Sequence, residues 1–194
     1  LIHQNHMVEE VGIGDSDGGR PPNLIRFAGA DKYVIGIDLG TTHIDGIVAN
    51  LNADIIVELR IPTVVGSGYQ EVMHRTSTLI NDLVEQSGVD QKNVLGVGVA
   101  VAGLVDKDKK IVEFSPDFGW HDVNVGLDIH KEISLPIVFD NVTRVMAMGE
   151  RHFGYGRTVD NFICVNIGYG IGAGIIVDGK PFYGTHGMSG EFGH

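Results

Sequence analysis

Cysteine is nearly absent from this sequence, whose 194 residues include a single one, Cys164. A disulfide bond within the chain is therefore excluded. Cys164 lies inside the apolar run FICVNIG, where a small and weakly polar thiol packs well. We expect this side chain to be buried and unreactive.

Long apolar runs are also missing. No segment approaches the roughly 20 apolar residues that a membrane-spanning helix needs. The opening residues LIHQNHMVEE lack the basic and apolar regions of a secretory signal. We therefore expect a cytoplasmic protein without membrane contacts.

Positive charge is scarce, because 14 Lys and Arg stand against 25 Asp and Glu, which gives a formal net charge of −11. Phosphate neutralisation supplies most nonspecific affinity for nucleic acid, so binding over the whole surface is excluded and any DNA contact has to be local. The 6 prolines and 28 glycines follow no fixed repeat, and the hydrophobic content of 43% can fill a core. These values predict a globular chain.

The stretch from Tyr33 to Ile61 contains three apolar runs separated by polar turns, and its alternation predicts three successive antiparallel strands. The first turn reads DLGTTH. Asp38 ends a strand, Gly40 lets the backbone approach a ligand, and Thr41 supplies a hydroxyl and an amide. Such a turn suits phosphate oxygens, although an ordinary hairpin with a polar corner has the same appearance.

A helix and a buried strand follow. Apolar residues at helical spacing fill the segment from Ser67 to Gly88, where Ser67 and Gln70 have the spacing of a capping box. The run NVLGVGVAVAG, residues 93–103, is apolar on both faces, which is typical of a strand covered on both sides. Strand, helix and strand together predict a parallel crossover unit.

A short helix is predicted around Val125 to Ile133, and it leads to the strand LPIVF, which is predicted to end at Asp140. Asn141 is predicted to cap a third helix. The buried face of that helix is expected to consist of Val142, Val145, Met146, Gly149 and Phe153. From Asn161 onward the pattern of strand, glycine turn and strand returns, with a hairpin turn at Asp178 and Gly179. Two such units could hold a phosphate chain from both sides of a cleft.

Residues 1–27 differ in composition, since GIGDSDGGRPP separates two short apolar segments. A stretch rich in Gly and Pro is usually a flexible linker. The alternative is a β-hairpin wing with Arg20 at its tip.

Several segments, taken in order, resemble the ROK family of sugar kinases and sugar-responsive repressors: GGRPPNLIRF, YVIGIDLGTTHI, GVGVAVAGLVD, SPDFGW, VFDNVTRVMAMGE, VNIGYGIGAGIIVDG and HGMSGEFGH. The resemblance implies an actin-like ATPase fold, an α/β architecture in which two domains of the ribonuclease H type enclose a sugar-binding cleft. Residues 31–139 would form the first domain and 140–194 would begin the second. Residues 1–27 would be the wing end of the winged helix-turn-helix that repressor members carry, with Arg20 touching DNA.

The phosphate half of the cleft departs from the kinase pattern. In kinases of the family, the segment before the helix that Asn141 would cap resembles Asn-Asp-Ala-Asn, and its Asp is the general base. Here Val142 follows Asn141 and cannot accept a proton. Asp140 could take the role only if it pointed into the cleft. In the resembling kinases the second phosphate turn has a Thr where this chain has Tyr169. Near the first turn, many of those kinases have a Lys where this chain has His43. This implies vestigial phosphate turns at Asp38, Gly40, Thr41, Gly168 and Gly170.

The sugar half resembles the family more closely. Glu191 and His194 match its Glu-x-Gly-His motif, which implies hydrogen bonds to sugar hydroxyls, and Asn141 and Gly103 match other sugar contacts. The family's His also binds a structural zinc with three cysteines that lie just downstream. Because the chain has no such cysteines, zinc would require His194 and a longer chain. We expect this sequence to be a piece of a longer protein.

The resemblance therefore implies a sugar-responsive transcriptional regulator, a repressor with a catalytically inactive kinase fold. Its expected partners are a monosaccharide effector, operator DNA and a second copy of itself, and it needs no cofactor. Two alternatives stay open: an ATP-dependent hexose kinase, and a sugar sensor without affinity for DNA.

Overall fold

A computed structural model describes residues 8–14, 18, 21, 23–27, 29–168 and 170–193. In chain order its strands are β1 (Val8–Ile13), β2 (Asn23–Phe27), β3 (Tyr33–Leu39), β4 (His43–Asn50), β5 (Ile55–Pro62), β6 (Val94–Val101), β7 (Leu104–Asp106), β8 (Ile111–Ser115), β9 (Trp120–Val123), β10 (Ile137–Asn141), β11 (Phe162–Ile167), β12 (Ile171–Val177) and β13 (Lys180–Pro181). The α-helices are α1 (Tyr69–Ser87), α2 (Val125–Glu132) and α3 (Val142–Phe153). Short 3₁₀ helices cover Val65–Ser67, Gln91–Asn93 and Tyr155–Thr158.

The strands β1 and β2 pair in an antiparallel hairpin, so the segments on both sides of the Gly-rich stretch are joined by a ladder of backbone hydrogen bonds. The segments Val8–Ile13 and Asn23–Phe27 are therefore paired strands and not parts of a flexible linker. Arg20 lies outside the described residues, and its position at a wing tip stays a prediction.

The largest sheet has the order β10-β6-β3-β4-β5. Its strands β3, β4 and β5 form the predicted antiparallel meander, and β6 lies parallel to both β3 and β10. The crossover from β5 through α1 reaches β6, as the alternation of strand and helix predicted. This topology places the ends of β3, β6 and β10 at one edge of the sheet, where Asp38, Val101 and Asn141 lie.

Helix α1 packs against this sheet through a buried apolar stripe. Its fully buried members include Val72, Leu79 and Ile80, which join Ile35 and Ile44 in one hydrophobic cluster. The capping box predicted at the start of α1 is wrong, because Gly68 occupies the N-cap and the Ser67 hydroxyl donates to the Val64 carbonyl instead. The predicted end is confirmed at Gly88, which adopts a left-handed conformation with φ of 66°.

A smaller sheet, β7-β8-β9, contributes Trp120 to the same core. Trp120 is 5% exposed and stacks on Phe118 with ring centroids 4.1 Å apart. Tyr69 meets the indole edge-on at 5.1 Å. The described surroundings of Trp120 are thus those of a core residue.

The third sheet, β11-β12-β13, follows α3, and Asp178 and Gly179 form the hairpin turn as predicted. Cys164 on β11 is half-buried rather than fully buried, and partial burial together with the nearby Glu150 carboxylate raises the pKa of its thiol. A raised pKa disfavours the thiolate, so the prediction of low reactivity is supported.

The predicted buried face of α3 is wrong for the described chain. Val145, Met146 and Phe153 are 38%, 39% and 68% exposed, whereas the buried residues are Thr143, Arg144 and Ala147. The reason is close packing on β12, whose glycines at 172 and 174 leave room for Thr143 and Ala147. Small residues permit a shorter distance between backbones than Val or Met would, and this contact decides which face turns inward.

Gly174→Ala is expected to lower the free energy of unfolding by about 3 kcal/mol, because overpacking forces a shift of backbone. A methyl group there would lie 2.1 Å from the Thr143 carbonyl oxygen and 2.5 Å from Ala147 Cβ. Gly149→Ala, on the exposed side of α3 with nothing within 4 Å, is the control and should stabilise by about 0.5 to 1 kcal/mol. Urea unfolding of both variants measures the difference, and equal midpoints would contradict the close helix-strand contact.

No helix in the part of the chain that the structure describes is both long enough and apolar enough to cross a lipid bilayer.

Candidate functional site

Asn141 lies where β10 ends and α3 begins, and it caps the helix as predicted. Its Oδ1 accepts hydrogen bonds from the Thr143 backbone N at 2.9 Å, the Thr143 hydroxyl at 2.6 Å and the Arg144 backbone N at 3.4 Å. These bonds satisfy donors that the first turn of a helix leaves unpaired. They also fix the side chain, so the Nδ2 group points away from α3.

That Nδ2 group brings together residues from distant parts of the chain. It donates to the Gly103 carbonyl oxygen at 2.9 Å and to Glu191 Oε1 at 3.1 Å. Asn141, Gly103 and Glu191 thus form one cluster, although their binding of a sugar stays a prediction. His194 lies outside the described residues.

Glycine is required at two positions in or beside this cluster, Gly103 and Gly190. Gly103 has φ of 121°, and a Cβ there would lie 2.5 Å from the Phe114 carbonyl oxygen. Gly190, beside Glu191, accepts a hydrogen bond from the Ala173 backbone N at 3.0 Å, and a Cβ on it would lie 1.8 Å from the Ala173 carbonyl oxygen. Backbone contact with β12 is therefore one of the attachments of the segment that carries Glu191.

The cluster places the Asn141 amide within hydrogen-bond distance of both a backbone carbonyl and a carboxylate. Carboxylate and carbonyl oxygens accept from hydroxyl groups, and an amide both donates and accepts. This combination suits a polyol, whose hydroxyls need donors and acceptors side by side. The cluster is poorly suited to a phosphate, because the Glu191 carboxylate would repel it and the neutral Asn141 amide supplies no positive charge.

Val142, which follows the capping residue, is half-buried and has no atom that accepts a proton. Asp140, on the other side of Asn141, is bonded by three protein donors. Its Oδ1 accepts from Arg144 Nε at 2.8 Å and from the Asn141 backbone N at 2.7 Å, and its Oδ2 accepts from the Tyr183 hydroxyl at 2.9 Å. These three bonds hold the Asp140 carboxylate in place, and a ligand hydroxyl would have to compete with them for its oxygens.

The first predicted phosphate turn joins β3 to β4. The Gly40 backbone N donates to the His43 carbonyl oxygen at 3.1 Å, and a Cβ on Gly40 would lie 2.9 Å from that oxygen, which explains the glycine. The Thr63 hydroxyl donates to the Gly40 carbonyl oxygen at 2.6 Å. Thr41 is half-buried in this turn. The turn is therefore held mainly by its own backbone and by Thr63.

Asp38 lies directly opposite Asp45 in the register of β3 and β4. Although the Asp38 side chain reaches solvent, neighbouring protein atoms desolvate its carboxyl group and raise its pKa, and the Asp45 carboxylate adds to this effect. Asp45 is in turn paired with Arg60. Asp38 is thus held at a position that disfavours its charge, as is common at functional sites.

The second predicted phosphate turn lies between β11 and β12. The Gly168 backbone N donates to the Gly170 carbonyl oxygen at 2.9 Å, and open space surrounds the α-carbons of both glycines. Tyr169 lies outside the described residues, so its effect on nucleotide binding stays a prediction.

The described residues contain no group of three His, Cys, Asp or Glu side chains that could hold a metal ion. The zinc site that the family resemblance implies begins with His194, which is not among them. Zinc binding therefore stays a prediction that depends on residues outside this cluster.

Sequence reasoning missed Arg144 and Tyr183, which hold Asp140 in place. Arg144 is 1% exposed and lies four residues after Asp140, a spacing that allows an ion pair along one helical turn. That spacing could have indicated the pair. Tyr183 lies on a distant segment, and no local pattern connects it to Asp140.

A model of the ROK family matches residues 34–194. A xylose repressor of Caldicellulosiruptor bescii is 34% identical over 194 residues, which cover 100% of this chain and 48% of that protein. A glucokinase of the family from Streptomyces griseus, solved with glucose and AMPPNP, has a TM-score of 0.76 and 30% identity over 84% of this chain and 50% of its own. The chain spans about half the length of the curated relatives it matches.

A solved ROK transcriptional regulator, described as a homolog of the E. coli MLC protein, has a TM-score of 0.82 and covers 100% of this chain and 49% of its own. Its identity of 24% means that the likeness concerns the fold alone. Kinases and a regulator thus share this mixed α/β architecture, so the fold does not decide between the two functions.

Proposed function

This chain belongs to the ROK family, and we propose from that premise that it is the sugar-binding core of a sugar-responsive repressor without kinase activity. One observation carries the proposal: the Asn141–Glu191–Gly103 cluster is assembled beside Val142, where a kinase needs a proton acceptor. A cluster of this kind would bind hydroxyl groups without a base to activate one.

The proposed ligand is a monosaccharide, and D-xylose is the first candidate because relatives at 34% identity are named xylose repressors. Glu191 and Asn141 would bind adjacent hydroxyls, with the Gly103 backbone beside them and His194 as a further ligand residue. No cofactor is required for this binding. A structural zinc ion would need His194 together with cysteines outside this sequence.

The proposed mechanism is thermodynamic linkage. A sugar that binds between the two α/β units favours one of their relative arrangements, and in a homodimer this changes the spacing of two DNA-binding wings. The β1–β2 hairpin is the proposed wing of a winged helix-turn-helix, and Arg20 is its proposed DNA contact. A local contact of this kind is compatible with the net charge of −11.

A hexose kinase is the second candidate, supported by the likeness to glucokinases, among them a protein from Streptomyces coelicolor 31% identical over 160 residues. In that case Asp38, Gly40, Thr41 and Gly170 would contact the phosphates of ATP. The engaged state of Asp140 and the aliphatic Val142 argue against it.

The full-length protein should melt at a higher temperature with one monosaccharide from a panel of xylose, glucose and N-acetylglucosamine. A ligand at 100 times its dissociation constant stabilises by about 2.7 kcal/mol. The same sugar should change the anisotropy of labelled DNA from the protein's own upstream region, with strong dependence on salt. Sugar binding without DNA binding would favour a sensor, and the absence of any sugar-dependent shift would refute the proposal.

A further inference from the structure

Arg144 is a buried cation that joins two segments far apart in sequence. On the first turn of α3, its Nε donates to Asp140 Oδ1 at 2.8 Å and its Nη1 donates to the Gly187 carbonyl oxygen at 2.8 Å. The side chain is 1% exposed and is thus almost fully removed from water. One guanidinium therefore ties the end of β10 to the loop that follows β13.

Tyr183 reinforces the same connection. Its hydroxyl donates to Asp140 Oδ2 at 2.9 Å, and its ring lies 5.2 Å from Arg144 Cζ. Lys107 Nζ approaches the ring at 3.9 Å from its centroid. Arg144, Asp140, Tyr183 and Gly187 together are called the Arg144 clamp below.

The residues of the Arg144 clamp lie close in sequence to Asn141 and Glu191 of the candidate sugar site. Asp140 and Arg144 flank Asn141 on both sides along the chain, and Gly187 lies four residues before Glu191. The clamp and the Asn141–Glu191 hydrogen bond therefore join the same two segments at two points.

A buried ion pair is poor evidence for stability, because desolvation of both charges offsets their attraction and an apolar pair of similar volume often does as well. Such pairs are better suited to defining one geometry, since a planar guanidinium bonds only in fixed directions. A site that must distinguish sugars needs one defined geometry, because a shift of about 1 Å in a supporting segment is enough to impair binding.

We propose that Arg144 is the positioning residue of the sugar site: the Arg144 clamp holds residues 183–191 so that Glu191 reaches Asn141, and it thereby sets affinity and selectivity among monosaccharides. This inference rests on the proposed sugar site. Without the clamp the Gly187 carbonyl loses its donor, the segment moves away from α3, and Glu191 no longer shares a ligand with Asn141.

The test compares matched substitutions in the full-length protein. Arg144→Met removes the clamp, and its control is Arg151→Met, since Arg151 on the same helix also bonds a backbone carbonyl, that of Arg157 at 2.8 Å, and pairs with Asp160 at 3.1 Å. Tyr183→Phe removes one hydroxyl, and its control is Tyr69→Phe, whose hydroxyl donates to Asp128 at 2.8 Å.

Arg144→Met and Tyr183→Phe should each weaken binding of the effector sugar by about 10-fold or more, the effect of losing a hydrogen bond to a charged group. They should also change the ratio of affinities for pentose and hexose, which a purely structural role would leave constant. In the double variant Asp140→Asn with Arg144→Met, the melting temperature should recover because no charge is left unpaired, while sugar affinity should stay low.

Amide hydrogen exchange gives a readout that does not need the sugar. Exchange in residues 184–193 should accelerate in Arg144→Met and Tyr183→Phe and stay unchanged in both controls. Unchanged exchange, or sugar affinity that falls no further than in the controls, would overturn the inference. If the wild-type protein binds no monosaccharide, the proposed function fails, and the exchange result alone decides whether the clamp positions this segment.

Discussion

Replacement of Asn141 by serine is expected to weaken monosaccharide binding by about 100-fold, a loss of about 2.7 kcal/mol. Serine is as good an N-cap as asparagine, so α3 keeps its first turn. What disappears is the Nδ2 group, which donates to the Gly103 carbonyl and to Glu191. Hydrogen bonds to a charged partner contribute about 1.5 to 3 kcal/mol. A sugar hydroxyl that bonds to Nδ2 in the complex would lose this donor as well.

Asn124 provides the matched control for this substitution. It caps α2 in the same way, with its Oδ1 accepting from the Leu127 backbone N at 2.8 Å. Asn124→Ser should leave sugar affinity unchanged and alter stability by a few tenths of a kcal/mol, or roughly the difference between two good caps. Isothermal titration calorimetry measures the affinities and urea unfolding the stabilities. Binding by Asn141→Ser within threefold of wild type would remove Asn141 from the site.

The full-length protein, given ATP, Mg²⁺ and a panel of hexoses and pentoses, is expected to release ADP only at the background rate. A positioned general base contributes about 10²- to 10⁴-fold to such a reaction, and kinases typically turn over at about 1 to 100 per second. Val142 supplies no base, and Asp140 is held by Arg144 and Tyr183. A measured turnover near one per second would eliminate the repressor proposal as stated.

Val142→Asp places a carboxylate at the base position that the family resemblance implies, but turnover should still stay below the roughly 1 to 100 per second that is typical of kinases. An Asp at the first helical position is favourable to the helix dipole, so the variant should fold. The expected obstacle is the phosphate half of the cleft, where Tyr169 and His43 replace the family's Thr and Lys. Val145→Asp, an equal charge on the exposed side of α3, is the control for nonspecific effects.

Local patterns in the sequence predicted the strands around the site and the Asn141 cap of α3. Alternation between β3 and β5 identified the meander, and the change from an apolar strand to Asn141 marked the start of α3. Both depend on residues within a few positions of each other, which is why they can be read without a structure. The direction in which α3 faces could not be read in this way, because the glycines that admit Thr143 and Ala147 lie on β12.

The sequence by itself determined the mixed α/β architecture, the turns at Gly40 and Gly168, and the aliphatic Val142 directly after Asn141. The tertiary structure alone decided that Asn141, Gly103 and Glu191 meet, and that Tyr183 bonds Asp140. Secondary structure follows from short-range periodicity, whereas these contacts join residues about 40 to 50 positions apart. Only the packing of α3 on β12 and the course of the loop after β13 bring those residues within hydrogen-bond distance.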